Sequence, residues 1–594
     1  MPALPNPHAA AAILLALMMF YAFATGRVRV EIISLLTVGV IALGLYFFPM
    51  PGSSPKDGLI MAFEGFGHHA LITICALMIL GRGLVVTGAL NPAARMLTTV
   101  SRYNKSLGLL VTLVMAFGMS MLVNDTPVLV LLLPILVKLA HDGGLAASKS
   151  LIPANSAILI GGMATTIGTS TNLLVVSIAT DLGLKPMGLF HFTGIVLAAG
   201  AIALPYIWLV MPRLLPDNSP EAGHPPRRYW ATLRFEQASP SVGKSLAKLR
   251  AHLPKDIEFK PGEPDLITAG MRLEISGAQD SIIEAARRLG ATAAPHWLVA
   301  RLHAEAASAR EDISIAEVTI APDSRLSGLT LQTAGLQGVA IIGIDQARRT
   351  YGSQRIPGTA APMSEGDVLL VMGTQSNLQQ FAANDGLLIL EGVRELPRSA
   401  KARLAFAIMA VAVGLASFGV LPIAISALGG AVLMFVTGCV KFERVGRALS
   451  ANVIVLVAAS LALGKLVLVT GAAQWLGELL AVGLQYLPAA GVLAAIMVFV
   501  TLLTNFASNA TAAAVGTPIA FSLAQQLGMP VEPLVLAVLF GCNLCYATPV
   551  AYQTNMMIMS EGDYQFKDYA RTGLPLIVLM ITTLSALLAL RYGL

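Results

Sequence analysis

Residues Ala164-Thr-Thr-Ile-Gly-Thr-Ser-Thr-Asn172 and Ala547-Thr-Pro-Val-Ala-Tyr-Gln-Thr-Asn555 align without a gap, sharing Ala, Thr and a closing Thr-Asn. Each stretch interrupts a long apolar run, Ile152–Ala179 in the first half of the chain and Leu534–Met559 in the second. In hydrocarbon an unpaired polar group costs several kcal/mol, so such stretches must line protein interior or a water-filled site. Two further agreements precede them in the same order. Gly81-Arg-Gly-Leu-Val-Val-Thr-Gly-Ala89 matches Gly464-Lys-Leu-Val-Leu-Val-Thr-Gly-Ala472, and Asn124-Asp-Thr-Pro127 matches Ser508-Asn-Ala-Thr511, with Pro134 and Pro518 equally far beyond. Three agreements in one order point to an internal duplication.

Composition sets the surroundings. The chain is 56% hydrophobic and 12% charged, with a mean hydropathy of +0.73. A soluble globular protein, in which about a quarter of residues are charged, is excluded. More than half of the charges fall between Arg213 and Arg398, so two apolar halves flank a soluble insert. The expected domains are a first membrane repeat over 1–212, two insert modules over 213–310 and 311–400, and a second membrane repeat over 401–594. Apolar runs of the length needed to cross a bilayer, about 17–25 residues, match one for one between the halves.

Loop charges orient the spans. With the amino terminus outside, the inner loops hold Arg27 and Arg29, then Arg95, Arg102 and Lys105, the insert, then Lys441, Arg444 and Arg447, and finally Lys567 and Arg571. The outer loops hold little beyond Lys56, Lys185 and Arg591. This asymmetry predicts an α-helical polytopic membrane protein with two inverted repeats, each of five spans plus a re-entrant hairpin, at 106–141 and 488–527. The bilayer is the cell inner (plasma) membrane, with a cytoplasmic insert and both termini outside. Met1–His8 lack Lys and Arg, so Ala9–Thr25 is expected to be a retained span. The net charge of +6 reflects the inner loops, and no nucleic-acid partner is expected.

In the insert, alternating and apolar patterns predict strands at Met271–Ile275, Ile313–Ile320, Val339–Ile344 and Gly366–Met372, and helices at Asp280–Leu289 and Leu331–Gly335. These are expected to form two α+β modules in tandem.

The candidate chemistry lies in the repeated polar clusters. The first hairpin offers Ser120, Asn124, Asp125 and Thr126; the second offers Thr504, Ser508, Asn509 and Thr511. Gly168 and Pro549 suit helix breaks, where freed carbonyls bind a cation and amides an anion. Isolated Ser and Thr could simply bond their own helix backbone, but their repetition in two clusters favours a site. Asp125 stands out because a carboxylate at membrane depth is costly. It could ligate Na⁺, carry a proton, or lie near enough to the interface to stay hydrated. Arg82 and Lys465 occupy equivalent positions, suited either to attracting an anion or to snorkelling. His68 and His69 are expected to be solvated, and Cys542 and Cys545 to pack in the core. No Gly-Lys-Ser/Thr phosphate loop or nucleophile–base set appears, so neither ATP-driven transport nor enzymatic chemistry is expected.

At these motifs the sequence resembles the divalent anion–sodium symporters of the ion transporter superfamily, whose hairpin tips carry Ser-Asn-Thr and whose broken helices follow. Glu317–Phe381 also resembles the TrkA-C module, the RCK C-terminal domain, as in anion permeases that include sulfate transporters. The resemblance implies one sodium site at Ser120, Asn124, Asp125 and Gly168, and another at Thr504, Ser508, Asn509 and Ala551. It places anion contacts at the tips and at Thr126, Thr169, Ser170, Ala510, Thr511, Tyr552 and Gln553. Helix breaks are marked by Asn172, Pro549 and Asn555. Na⁺ is then the coupling ion, with no other metal and no organic cofactor. The implied function is sodium-coupled symport of a small divalent anion, foremost sulfate, by elevator-type alternating access in a homodimer, with a small regulatory ligand on the modules. The departures are Asp125 for Asn, Ala510 for Thr, and Tyr552-Gln553 for Thr-Pro; they favour a small oxyanion over a dicarboxylate. Alternatives are a dicarboxylate symporter, arsenite-type oxyanion efflux, Na⁺/H⁺ antiport, and a membrane sensor.

Overall fold

The structure is a computed structural model. It describes residues 4–594 except 26–27, 29, 90–103, 142–144, 218–227, 238, 251–252, 255, 261–264, 295–297, 303–312, 321–323, 331–337, 347–361, 386, 392–400, 443–448 and 507. The expected helix at Leu331–Gly335 and the loop charges Arg27, Arg29, Arg95, Arg102, Arg444 and Arg447 lie outside the described residues.

The long apolar runs form helices. In the first half these are α1 (Pro7–Thr25), α2 (Val30–Phe47), α3 (Pro55–Phe63), α4 (His69–Val86), α5 (Lys105–Ser120), α6 (Asp125–His141), α7 (Ala147–Met163), α8 (Ser170–Asp181) and α9 (Thr193–Leu214). The insert carries α10 (Leu246–Arg250), α11 (Gln279–Leu289) and α12 (Gln375–Asp385). The second half has α13 (Ala402–Ser417), α14 (Ile423–Val436), α15 (Ala451–Val469), α16 (Ala472–Leu484), α17 (Ala489–Phe506), α18 (Asn509–Leu527), α19 (Val531–Asn543), α20 (Gln553–Glu561) and α21 (Phe566–Tyr592). Among the described residues, 7 helical stretches are long and apolar enough to cross a membrane.

Several starts are set by side chains that accept from otherwise unpaired N–H groups. Asn104 Oδ1 accepts from Ser106 and Leu107 at 2.9 and 3.1 Å, and the Ser450 hydroxyl accepts from Val453. The helices differ sharply in what they present outward. α1 and α2 expose Leu14, Leu17, Leu36, Leu43 and Phe47, residues suited to hydrocarbon, whereas α7 and α19 are buried almost throughout. The inner helices approach through glycine. A Cβ on Gly161 would come within 2.3 Å of the Phe117 carbonyl oxygen, so α7 meets α5 nearly backbone to backbone.

Packing crosses the halves. α8 of the first half packs on α18 and α19 of the second, and α20 of the second packs on α6 and α7 of the first. A separate core joins α1, α2 and α3 to α15 and α16 around Leu15, Ile41, Leu463 and Ala472.

The insert strands are β1 (Tyr229–Arg234), β2 (Glu258–Phe259), β3 (Arg272–Gly277), β4 (Ile313–Ile320), β5 (Val339–Asp345), β6 (Val368–Thr374) and β7 (Leu387–Glu391). Strands from both segments join one seven-stranded sheet, in the order β2-β3-β1-β5-β6-β4-β7, where the sequence suggested two modules side by side. The joint is the β1–β5 pairing, Trp230 opposite Ile344, which covers backbone edges that separate sheets would leave unpaired. The unbroken apolar run in β6 has the same cause. Val368 and Leu370 face one core while Leu369 and Val371 face another, so alternation is lost because both faces are covered.

Candidate functional site

The first polar stretch breaks α7 from α8, and the second breaks α19 from α20. Each break is held by one asparagine. Asn172 Nδ2 donates to the carbonyls of Gly162 (3.0 Å) and Thr165 (2.7 Å), and Asn555 Nδ2 donates to those of Cys545 (2.8 Å) and Thr548 (2.9 Å). In both cases the acceptors lie ten and seven residues earlier. These side chains therefore satisfy carbonyls that a broken helix would leave orphaned at depth. Asn172 and Asn555 sit in the first turns beyond the breaks rather than at them, and Pro549 lies within the second break.

The asparagine beyond each break is also bonded from the opposite half, by Asn543 at the end of α19 and by Asn155 within α7. Asn543 Nδ2 donates to Asn172 Oδ1 at 2.8 Å, and Asn155 Nδ2 donates to Asn555 Oδ1 at 2.6 Å. Thr169, whose hydroxyl accepts from the Asn172 N–H, also donates to Asn543 Oδ1 at 3.3 Å.

The hairpin tips meet these breaks. The Ser120 hydroxyl donates to Asp125 Oδ1 at 2.5 Å, and five residues apart in the second half the Thr504 hydroxyl donates to Asn509 Oδ1. Asp125 is fully buried. Its Oδ2 makes no well-aligned hydrogen bond among the described residues, and the Tyr552 hydroxyl lies within reach of the carboxylate as a donor. Gly162 leaves the room for this carboxylate, since a Cβ there would fall 2.1 Å from Asp125 Oδ1 and 2.9 Å from Thr169 Cγ2. Gly168 approaches as closely, its would-be Cβ 2.2 Å from the Gly162 carbonyl oxygen. Ser120, Asp125, Gly168 and Thr169 are thereby brought together around a buried oxygen-rich point. The Asp125 carboxylate, the Ser120 hydroxyl and the second lone pairs of the Gly162 and Thr165 carbonyls are oxygen donors of the kind suited to a hard cation. At the second tip, the Thr504 hydroxyl also lies 3.0 Å from the Cys542 carbonyl, so its one proton has two competing acceptors, and Asn509 Nδ2 reaches Cys545 Sγ at 3.8 Å.

Exposure separates the remaining candidates. Thr504, Asn509, Ala510 and Ala551 are buried, whereas Asn124, Thr126, Ser170, Ser508, Tyr552 and Gln553 are partly exposed. Thr511 turns elsewhere: its hydroxyl lies 3.3 Å from that of Ser460 on α15.

Sequence reasoning missed Asn155, Asn505, Asn543 and Gly162. Asn505 Oδ1 accepts from the Ala547 N–H at 3.2 Å, and its Nδ2 donates to the Leu544 carbonyl at 2.9 Å, so it braces the second break. The available signal was an asparagine inside an apolar run, which membrane depth makes expensive unless it is bonded. Nothing in the sequence marks Gly162.

The two histidines differ in exposure. His68 Nε2 lies 3.0 Å from Asp181 Oδ2, and its Nδ1 accepts from the Ala70 N–H; His69 Nε2 lies 2.9 Å from the Ser177 hydroxyl. Both bridge toward α8; His68 is partly buried, and His69 remains exposed as expected. Lys465 pairs with Glu64. Cys542 and Cys545 are buried free thiols, and among the described residues no group of His, Cys, Asp and Glu is arranged to hold a metal.

A family profile described as "Citrate transporter" (CitMHS) matches residues 20–541 and 489–593. The chain is 28% identical over 570 residues to an uncharacterized transporter of Synechocystis, covering 91% of each chain. It is 26% identical to a putative sulfur deprivation response regulator of Chlamydomonas reinhardtii, covering 87% of this chain and 92% of that one. Similarity to a probable sodium/sulfate cotransporter of the same alga is 23% identity over 38% of this chain and 26% of the relative.

Proposed function

Because this chain belongs to the citrate transporter family (CitMHS), we propose that it is a sodium-coupled symporter of a small divalent anion, most favourably sulfate, working as a homodimer by elevator-type alternating access. The membrane-transport class follows from the family; cargo, coupling and mechanism are inferred. The observation that carries the proposal is the bonding of each break's asparagine from the opposite half, through the Asn172–Asn543 and Asn155–Asn555 bonds, beside the buried Asp125 carboxylate. The paired i to i+5 tip bonds and the identical asparagine spacing support an inverted repeat. Ser120, Asp125 and the break carbonyls would hold one cation, and Thr504, Asn509 and Ala551 a second. Tyr552, Gln553, Thr126 and Ser170 would meet the anion.

Charge supports this assignment. The motifs Asn124–Pro127, Ala164–Asn172, Ser508–Thr511 and Ala547–Asn555 contain no Lys or Arg. A divalent anion there needs bound cations to offset its charge, which couples the two fluxes. The insert, with its TrkA-C-like stretch, is assigned to the cytoplasm as the seat of a small regulatory ligand. The sodium/sulfate name of the algal relative favours sulfate. The family description favours a carboxylate as the second cargo.

Uptake of labelled sulfate and labelled citrate into proteoliposomes, with and without an inward Na⁺ gradient, tests these assignments. Sulfate uptake driven by Na⁺ is the expected result. Citrate uptake alone would transfer the assignment to a carboxylate, and gradient-independent uptake would overturn symport.

A further inference from the structure

The insert is seated on the two helices that lead away from the candidate site. β4 meets α20 through a hydrogen bond from Thr319 Oγ1 to Glu561 Oε1 at 3.0 Å, and both residues are buried. Gly366, just before β6 with φ at +82°, lies so close to α20 that a Cβ would fall 2.6 Å from the Met556 carbonyl oxygen. β7 packs along α6. Where the chain enters the insert, Lys149 of α7 pairs with Asp217 at 2.7 Å and the Ser148 hydroxyl donates to the Pro216 carbonyl at 2.7 Å. Among the described residues, no strand packs on α1–α4 or α13–α16 as extensively as β7 packs on α6.

The choice of helices gives this docking its meaning. α6 begins at Asp125, and α20 begins at Gln553, directly after Tyr552. They come from opposite halves of the chain and also pack on each other. A helix of 17 residues spans about 25 Å, from ~1.5 Å per residue, so α6 runs continuously from the tip carboxylate to β7, with Pro134 inside it as a point of bending. At Gly366 the contact has no slack, and close-packed contacts of this kind shift between arrangements instead of deforming smoothly. A buried hydrogen bond at Glu561 adds a fixed point, since removing the Glu561 carboxylate leaves the buried Thr319 hydroxyl without this bond.

We infer that the β4–β7 part of the insert is a coupling element that fixes α6 and α20 relative to each other, so that a change in the insert reaches the first hairpin tip and the second break from outside the site. This rests on the breaks being the transport site. A ligand that reshapes the sheet would act on transport without touching cation or anion.

Glu561→Ala in the full-length purified protein tests it, because the substitution lies outside the sheet. Hydrogen exchange should quicken at least threefold in α20 and in the β7-facing part of α6, while β4–β6 keep their protection. Thr319→Val should reproduce the change, and the double variant should exceed neither single one. In proteoliposomes the Na⁺ concentration for half-maximal sulfate uptake should shift at least threefold. Unchanged exchange in α20 and α6 would overturn the docking, and loosened helices with an unshifted Na⁺ curve would overturn the coupling. If the wild-type protein carries no sulfate, the cargo assignment fails, and the Na⁺ concentration at which exchange around Asp125 and Tyr552 slows, compared between wild type and Glu561→Ala, decides the coupling: an unshifted concentration overturns it.

Discussion

Replacing Asp125 with Asn removes one formal charge from a fully buried position and leaves the side-chain shape nearly unchanged. Asp125 Oδ1 is engaged by Ser120 at 2.5 Å, and Oδ2 is the oxygen left for a cation. At about 4 Å and an effective dielectric of about 20, two unit charges attract by about 4 kcal/mol. That is an upper figure, because holding the carboxylate charged at depth costs solvation. A hydrogen bond or contact to a charged group nets about 1.5–3 kcal/mol, which converts to roughly ten- to hundredfold at ~1.4 kcal/mol per decade. Asp125→Asn is therefore expected to raise the Na⁺ concentration for half-maximal sulfate uptake by that factor. The fold should persist, because the second half already carries an asparagine, Asn509, in the same relation to Thr504. The assay is initial-rate uptake across a Na⁺ series at several pH values. If the pH profile flattens while the Na⁺ curve stays in place, Asp125 carries a proton instead of ligating the cation. A variant that matches wild type in both would refute the first cation site.

Gly162→Ala should abolish Na⁺-driven uptake and lower the thermal midpoint, because the new methyl group would fall 2.1 Å from Asp125 Oδ1 and can be accommodated only by displacing the carboxylate. Asn172→Leu and Asn555→Leu each remove a side chain that satisfies two carbonyls; at about 1–3 kcal/mol per stranded polar group, each should destabilise the protein strongly in thermal unfolding. In the insert, burial pushes the Asp256 carboxyl up, but bonds from Ser281 and the Ala278 N–H and the charge of Arg228 outweigh it and hold the group below its ordinary value. A lowered carboxyl stabilises the fold above the unfolded value, near about 4, and loses that contribution as pH falls through the folded value. Protection of β3 and the start of α11 should therefore fall in acid, and Asp256→Asn should flatten that fall when exchange is measured from about pH 5 downward.

Much of the fold was legible because membrane depth makes sequence unusually explicit. An apolar run must become a helix, since no water is present to satisfy its backbone, and a polar tip inside one must be bonded or functional. The strands Ile313–Ile320 and Val339–Asp345 and the helix Gln279–Leu289 were likewise readable from pattern, and Asp125 was conspicuous as a lone carboxylate between apolar helices. β1, at Tyr229–Arg234, was not anticipated, and its pairing with β5 turns two expected modules into one sheet. Pattern indicates which face of a strand is buried but not which edge finds a partner.

What the sequence determined by itself was the class of molecule: two apolar halves rich in membrane-length helices, matching polar stretches that interrupt them, and a charge-rich segment between them. Tertiary structure decided which of the polar residues meet. Asn155 and Asn543 are unremarkable in their runs until packing brings them to Asn555 and Asn172, hundreds of residues away. Thr511 shares the tip motif with Asn509 yet faces Ser460, because successive helical residues point about 100° apart and only packing fixes which direction is the site. Gly162 owes its role to a carboxylate arriving from another helix, and the insert's hold on α6 and α20 rests on contacts at Thr319, Gly366 and β7. Periodicity and composition are local properties of the chain, whereas these contacts depend on the relative placement of elements distant in sequence, which close packing alone settles.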